Sequence, residues 1–375
     1  MTAAFLAVLL SGASYAPRSP LPPQPPLSPS AVSAPSAASA PSEIANARLT
    51  TRSAAGGLSQ AVDTALRAGA GPQWIAYAIA VEGDHRMCCW DSVSASQSRR
   101  CCGGCRLEGG SSFTTNRETS ASLEAAGTAL VFLRGEQGRV GRIRTFSSGC
   151  AIDAGGLPVV WLTDVAPAQS LRLLASYVDR EDAGGRKSLA DGALAAIAFH
   201  ADRGADDVLE GLTRPAKSDH VRKQAAFWLG NARGRRGYEI LSRMMRDDPS
   251  DHVRAHVTFA LSQSEAPEAL QEMIRAARHD GSSHVRGQAL FWLAQKAGDK
   301  AASAITRAID DDPDTDVKEK AVFALSQLPK DKGVPLLIDV ARNNRNREVR
   351  KKAMFWLGQS NDPRALAFIE DVLAR

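Results

Sequence analysis

Six cysteines offer the most chemistry in this 375-residue chain, and they cluster: Cys88, Cys89, Cys101, Cys102, Cys105 and Cys150, with none beyond. In an exported protein an even count points to disulfides, which cross-link domains too small to stand on their own cores. Zinc is the alternative. Cys102-Gly103-Gly104-Cys105 has the spacing of a ligand pair, and His85 with Cys88 or Cys89 would complete four ligands. Free or nucleophilic thiols are a third reading, which would need a depressed thiol pKa that nothing in the sequence supplies.

A second pattern tempts toward metal. His220, His252 and His284 recur every 32 residues. Stacked helices lie about 8–10 Å apart, whereas imidazoles sharing one zinc must converge to about 2 Å from it. These histidines are therefore expected to be polar residues at helix starts. The chain has no Gly-rich phosphate loop, nucleophile elbow or paired-carboxylate motif, so no catalytic residue and no cofactor is expected.

Two further stripes suit recognition. Counted from Val221, Val253, Val285, Val317 and Val349, which are 32 apart, a Phe stands six residues on, at Phe227, Phe259, Phe291, Phe323 and Phe355. An amide stands ten on, at Asn231, Gln263, Gln295, Gln327 and Gln359. At about 100° per helical residue these fall near 240° and 280°, away from the arc of Val, the Ala or Val four residues on, and the Leu eight on. Aromatic and amide stripes thus run side by side, facing a partner or packing between neighbouring helices. Trp228, Trp292 and Trp356, which alternate with Ala260 and Ala324, fall nearer the core and are expected to fill space.

The elements behind these stripes follow from the period. A fixed 32-residue repeat means stacked supersecondary units. Valine, then Ala or Val, then Leu at positions 0, 4 and 8 make one buried helix face, ending at Leu229, Leu261, Leu293, Leu325 and Leu357. Second helices are expected over Glu239–Arg246, Glu268–Arg278 and Val334–Arg342, with Asp248-Pro249 and Asp312-Pro313 as breaks. Ser170–Val178 and Leu189–Phe199 fit degenerate copies that cap the stack.

Asp-Pro-Ser-Asp-His-Val-Arg (248–254) and Asp-Pro-Asp-Thr-Asp-Val-Lys (312–318), each followed by a helix ending Phe-Ala-Leu, resemble HEAT repeats of the short bacterial type. The resemblance spans 165–375 and implies an all-α solenoid of helix pairs, whose members are mostly protein-binding scaffolds. It also implies that one helix of each pair lines a concave groove, and that Arg222, Arg254, Arg286, Lys318 and Arg350 pair with acids of adjacent turns. Enzymes of this architecture include phycobilin lyase-like proteins and a diiron hydroxylase that uses His-Glu dipeptides as ligands. This chain has no such dipeptide.

Before the solenoid, residues 43–164 read as a small α+β domain. Leu58, Val62, Ala65 and Leu66 have helical spacing, and strands are expected at Trp74–Val81, Thr128–Arg134, Arg139–Phe146 and Leu157–Leu162. Gly135-Glu136-Gln137-Gly138 reads as the turn of a hairpin. Residues 17–42 are Pro, Ser and Ala-rich and are expected to be a disordered linker. Residues 1–16 read as a signal peptide, with the apolar run Ala3–Leu10 and small residues Ser14 and Ala16 at the cleavage positions, though without a basic residue before the run. Periplasmic or secreted location follows.

Lys and Arg number 46 against 41 acids, a net charge of +5 without a basic cluster, which argues against nucleic acid as a partner. No segment reaches the ~20 apolar residues of a membrane span. The expected function is an exported scaffold for a protein or peptide. A thiol or zinc enzyme in the first domain, or a lyase-like solenoid, is the alternative. On the first reading the exported protein begins at Pro17, and mass spectrometry without reductant finds its cysteines paired. Six free thiols, or stoichiometric zinc, would show otherwise.

Overall fold

In a computed structural model, the described residues are 44–81, 105–108, 127–148, 152–178 and 189–374. The strands are β1 (Ile44–Ala45), β2 (Arg48–Ser53), β3 (Gln73–Ala80), β4 (Cys105–Arg106), β5 (Thr128–Glu136), β6 (Arg139–Ser147), β7 (Ile152–Asp153) and β8 (Pro158–Thr163). Helix α1 (Leu58–Ala68) lies among them, and α2 (Pro167–Val178), α3 (Leu189–Phe199) and α4 (Gly204–Leu212) follow. The regular pairs are α5 (Asp219–Ala232) with α6 (Gly234–Asp247), α7 (Asp251–Gln263) with α8 (Ala269–His279), and α9 (Ser283–Ala297) with α10 (Ala302–Asp311). They continue with α11 (Thr315–Ser326), α12 (Lys330–Asn343), α13 (Arg347–Gln359) and α14 (Pro363–Leu373).

The five-stranded sheet has the order β2-β8-β3-β5-β6, parallel across its first three strands and antiparallel across the rest. Its faces alternate except at a bulge in β6, which sets Val140 and Ile143 on the same side. Ile75, Tyr77, Val131, Leu133 and Ile143 face α1, α2 and α3, while Trp74, Ala76, Phe132, Phe146 and Trp161 form a second core on the other side. That second core is covered by the short sheet β1-β7-β4. The hairpin turn is tighter than four residues: β5 runs through Glu136, and Gln137-Gly138 turn at φ 51° and 73°, the geometry that twists with its strands.

Cys105 opens β4, in register with Ile152. Arg144, buried over the Phe146 ring, donates to the carbonyls of Arg106 and Leu107, and Glu108 accepts from Trp74 Nε1 at 2.9 Å and Arg134 Nε at 2.6 Å. One end of the cysteine-bearing stretch is thus fixed to the sheet. His85, Cys88, Cys89, Cys101, Cys102 and Cys150 lie outside the described residues, as do the signal and linker segments.

Sheet and stack belong to one unit, joined by a buried polar relay. Ser170 Oγ lies 3.1 Å from the Tyr77 hydroxyl and 3.0 Å from His200 Nε2. Ala201 N donates to Ala80 O at 2.8 Å, and Arg233 donates to the carbonyls of Ala198 and His200 and to Asp206. Burial pushes His200 down to about 4, with Asp202 opposing and Arg233 reinforcing, and it pushes the Tyr77 phenol up. Serine beside histidine has the look of a nucleophile, but Ser170 and His200 are 0% and 2% exposed, so no substrate reaches them. The relay is a joint.

Beyond it the helices form two rows, α3-α5-α7-α9-α11-α13 and α4-α6-α8-α10-α12-α14. Positions 0, 4 and 8 are all buried between them, including Val253, Val257 and Leu261. The first row packs more closely than the second, so the stack bends with that row inside. At its tightest, a Cβ on Gly230 of α5 would meet Ala260 O of α7 at 2.2 Å.

The repeat's basic position is the bolt. Arg254 makes two contacts with Asp280, at 2.9 and 3.0 Å, and Arg286 two with Asp312, at 2.7 and 3.0 Å. Arg222 donates to Asp248 Oδ1 at 3.2 Å, while its Nε, 2.9 Å from Oδ2, is out of line for a bond. The same carboxylates accept the next helix-start amides, Ser250, Ser282 and Asp314 N, at 2.9 Å each. The fourth rung differs: Asn344 replaces the acid, Lys318 donates to Asp310 O, and Arg350 donates to Asn344 O. Three of the five basic residues therefore pair with acids, and two reach carbonyls.

Arg286 and Asp312 side chains are 10% and 5% exposed, so Asp312→Asn strands a desolvated guanidinium. Urea unfolding should show a loss of about 3 kcal/mol. Asn344→Asp with Lys318→Arg, which completes the fourth rung, should instead be neutral or stabilising.

Candidate binding face

The Phe and amide positions lie on the closely packed row, on α5, α7, α9, α11 and α13, with Gln327 just past the end of α11. Phe227, Phe259, Phe291 and Phe323 are half-buried, and Phe355 is 54% exposed. The rings pack on one another from helix to helix and keep part of their surface in solvent. Phe227 stacks on Phe259 at 6.1 Å and Phe291 on Phe323 at 5.8 Å, the latter nearly parallel at 6°.

Tryptophans bridge the stacked pairs, a role that space-filling did not foresee. Trp292 lies 4.6 Å from Phe259 and 4.8 Å from Phe291, and Trp356 lies 4.9 Å from Phe323 and 5.0 Å from Phe355. Trp228 joins Phe227 to Phe199 at 5.1 and 5.2 Å. One unbroken line of rings results, from Phe199 to Phe355. Its signal in the sequence was the Trp/Ala alternation, which places a large ring in every second repeat. His256 adds a ring edge 5.6 Å from Phe259, and burial pushes it down to about 4, the Lys223 ammonium acting the same way.

Beside the rings, Asn231, Gln263, Gln295, Gln327 and Gln359 are all exposed. They form no continuous ladder. Gln295 reaches Gln327 at 3.5 Å, but Asn231 donates to Phe227 O at 2.8 Å, and Gln263 and Gln327 donate to the preceding serine hydroxyls at 3.0 and 3.1 Å. An amide has two N–H donors and one strong acceptor, so each of these three keeps capacity for a ligand. A cleft of about 190 Å³ opens between α11, α12 and α13, lined by Gln327, Gln359, Ser326, Ser360, Lys330 and Trp356. Trp356 Nε1 is buried there without a hydrogen-bond partner.

The histidines take the places expected of helix-start residues. His252 and His284 touch at 5.4 Å, and His220 Nε2 lies 3.7 Å from Asp191. Among the described residues no group of three or more His, Cys, Asp or Glu is arranged to hold a metal ion.

Residues 205–294 and 302–375 match the HEAT-repeat family. The two rows of helices are accordingly a HEAT-like α-solenoid. No curated protein matches the sequence. Similar solved structures include human deoxyhypusine hydroxylase, at 16% identity over 55% of this chain and 90% of that one, with a TM-score of 0.30. Others are the CpcE–CpcF complex of phycocyanin lyase from Nostoc, at 15% over 53% and 80% with 0.28, and the Cnd3–Cnd2 condensin subcomplex of S. pombe, at 18% over 54% and 30% with 0.33. Nothing about function follows from these likenesses. No helix among the described residues is long and apolar enough to cross a membrane.

Half-burial sets a number on the ring line. Phe291→Ala should cost about 1–2 kcal/mol in thermal unfolding, less than the ~3–5 of a core Phe. A double-mutant cycle with Phe323→Ala should return about 0.5–1.5 kcal/mol of coupling.

Proposed function

We propose that the protein is an exported scaffold, periplasmic or secreted, that holds a protein or peptide along the ring and amide rows of its solenoid. One observation carries this: on the inner row, a line of partly exposed aromatic rings from Phe227 to Phe355 runs beside five exposed amides, one per repeat. Aromatic surface supplies binding energy at small entropic cost, and amides match a backbone that offers both donors and acceptors. Export rests on the apolar run Ala3–Leu10 and the small residues Ser14 and Ala16. The binding role draws on the HEAT-repeat match, since such solenoids expose long concave surfaces.

A displayed random-peptide library selected on the immobilised chain tests the site. Enriched peptides should lose tenfold or more in affinity on Phe291→Ser, about 1.4 kcal/mol, and keep it on Arg243→Ala in the outer row. Equal losses on both, or none on either, would place binding elsewhere.

A further inference from the structure

Resting on that reading, we propose that the cleft between α11, α12 and α13 is a socket for a lysine side chain of the bound protein or peptide, whose ammonium donates to the carbonyls of Ser326 and Leu328. The repeat supplies the template. Two repeats earlier, Lys296 in the last turn of α9 reaches back to the end of α7 and donates through Nζ to Ser262 O and Ser264 O, at 2.7 Å each. Adding two periods, 64 residues, to Ser262, Ser264 and Lys296 leads to Ser326, Leu328 and Ser360. All three line the cleft. The chain thus shows an ammonium seated at this place when a lysine stands at the position, and Ser360 is too short to supply one.

The walls select a cation on an apolar stem. Helices α11 and α13 end at the cleft, and a helix C-terminus leaves carbonyls without intrahelical donors and carries partial negative charge. Lysine side chains bond such carbonyls. Leu325, Val334, Leu337 and the Trp356 ring give the apolar surface that a four-carbon stem covers. An ammonium has three N–H donors, so two carbonyls leave one for the Gln359 amide oxygen at the rim. A carboxylate would meet those carbonyls with like charge, and an uncharged apolar chain would cut them off from water without a donor.

Lys330 also lines the cleft, and its charge is offset by Asp362, whose carboxyl Arg364 and, more weakly, Lys330 hold down at about 2. Gln327 and Gln359 belong both to the amide row and to the lining of the cleft. A chain held along that row therefore passes over its mouth.

Two measurements on the full chain test this. In heteronuclear NMR spectra the Trp356 indole signal, assigned by its loss in Trp356→Phe, should shift saturably with added n-butylammonium and stay in place with n-butanol. Ser360→Lys supplies an ammonium from the chain itself, as Lys296 does, and Ser360→Leu fills the cleft as the buried Leu328 fills its own step. Both should abolish the shift, with melting temperatures no lower than that of the unchanged chain. No saturable shift, an equal shift with butanol, or a shift kept in either folded variant would overturn the socket. The second measurement identifies the occupant. In library-selected peptides that bind through Phe291, replacing lysine by norleucine should weaken binding about tenfold or more on the unchanged chain and hardly at all on Ser360→Lys. If such peptides ignore both changes, the partner's lysine is overturned as the occupant and the scaffold reading stands. If no peptide binds through Phe291, the scaffold reading fails and this inference with it.

Discussion

Arg254 reaches 26 residues ahead to grip Asp280 with two nitrogens, and that contact exists only while consecutive helix pairs keep one spacing and one angle. The same carboxylate accepts Ser282 N, and the Asp280 backbone N–H caps α8, so one residue closes one helix, opens the next and holds the guanidinium of the previous repeat. Hydrogen bonding to Asp280 holds the Arg254 guanidinium above its usual range, which fits a charge kept ionised in a partly dry place. Serines carry the link onward: Ser250 Oγ donates to Asp219 at 2.6 Å and Ser282 Oγ to Asp251 at 2.8 Å. Apolar packing at Val, Ala and Leu supplies the drive to stack, but it is tolerant of sliding. The ion pairs and the serines remove that tolerance.

A fixed pitch is what turns isolated phenylalanines into a line. Phe291 and Phe323 belong to helices that are not consecutive in the chain, and they stack within 6° of parallel because their backbones are held at the same height. A ring displaced by one helical residue would turn about 100° away from its neighbour. The joint at the other end does comparable work for the first helices. Ser170, Tyr77 and His200 tie the sheet to α2 and α3, so the first ring of the line, Phe199, is positioned by the sheet as well as by the stack.

Most of this was legible in the residues because the repeat is nearly uniform. The 32-residue period located the inner helices to within a few residues, and the 0, 4, 8 stripe named their buried side chains. The strands that carry apolar alternation, such as Thr128–Glu136, were equally plain. Arg48–Ser53 was not: all six residues are exposed, and it is a strand only because β8 offers it a parallel edge. Gly204–Leu212 lies outside the 32-residue pattern of Val, Phe and Leu, so the period did not mark it as a helix. The rings exposed a deeper limit. A helical wheel assigns a direction relative to one helix's own axis, whereas half-burial of Phe227 or Phe291 comes from the neighbouring turn of the stack, which no single wheel contains. The tryptophans do pack on the core as the wheel places them, but their contacts also run to the Phe of the preceding repeat, which one wheel cannot show.

The two surfaces of the stack differ in what they ask of a partner. On the outer row, Arg235 pairs with Glu268, Arg236 with Glu210 at 2.8 Å and Arg243 with Glu210 at 2.5 Å. A ligand there would have to displace or desolvate charges that already satisfy one another, and exposed pairs of this kind return little energy. The inner row presents rings that are packed on one side and wet on the other, with amides whose hydrogen-bonding capacity is only partly spent. Covering such a surface removes apolar area from water without breaking any ion pair. On the proposed reading, ring packing orders the surface before a partner arrives, so less conformational entropy would be lost on association. On the same reading, the Arg–Asp rungs would contribute to affinity through the pitch they impose on the rings.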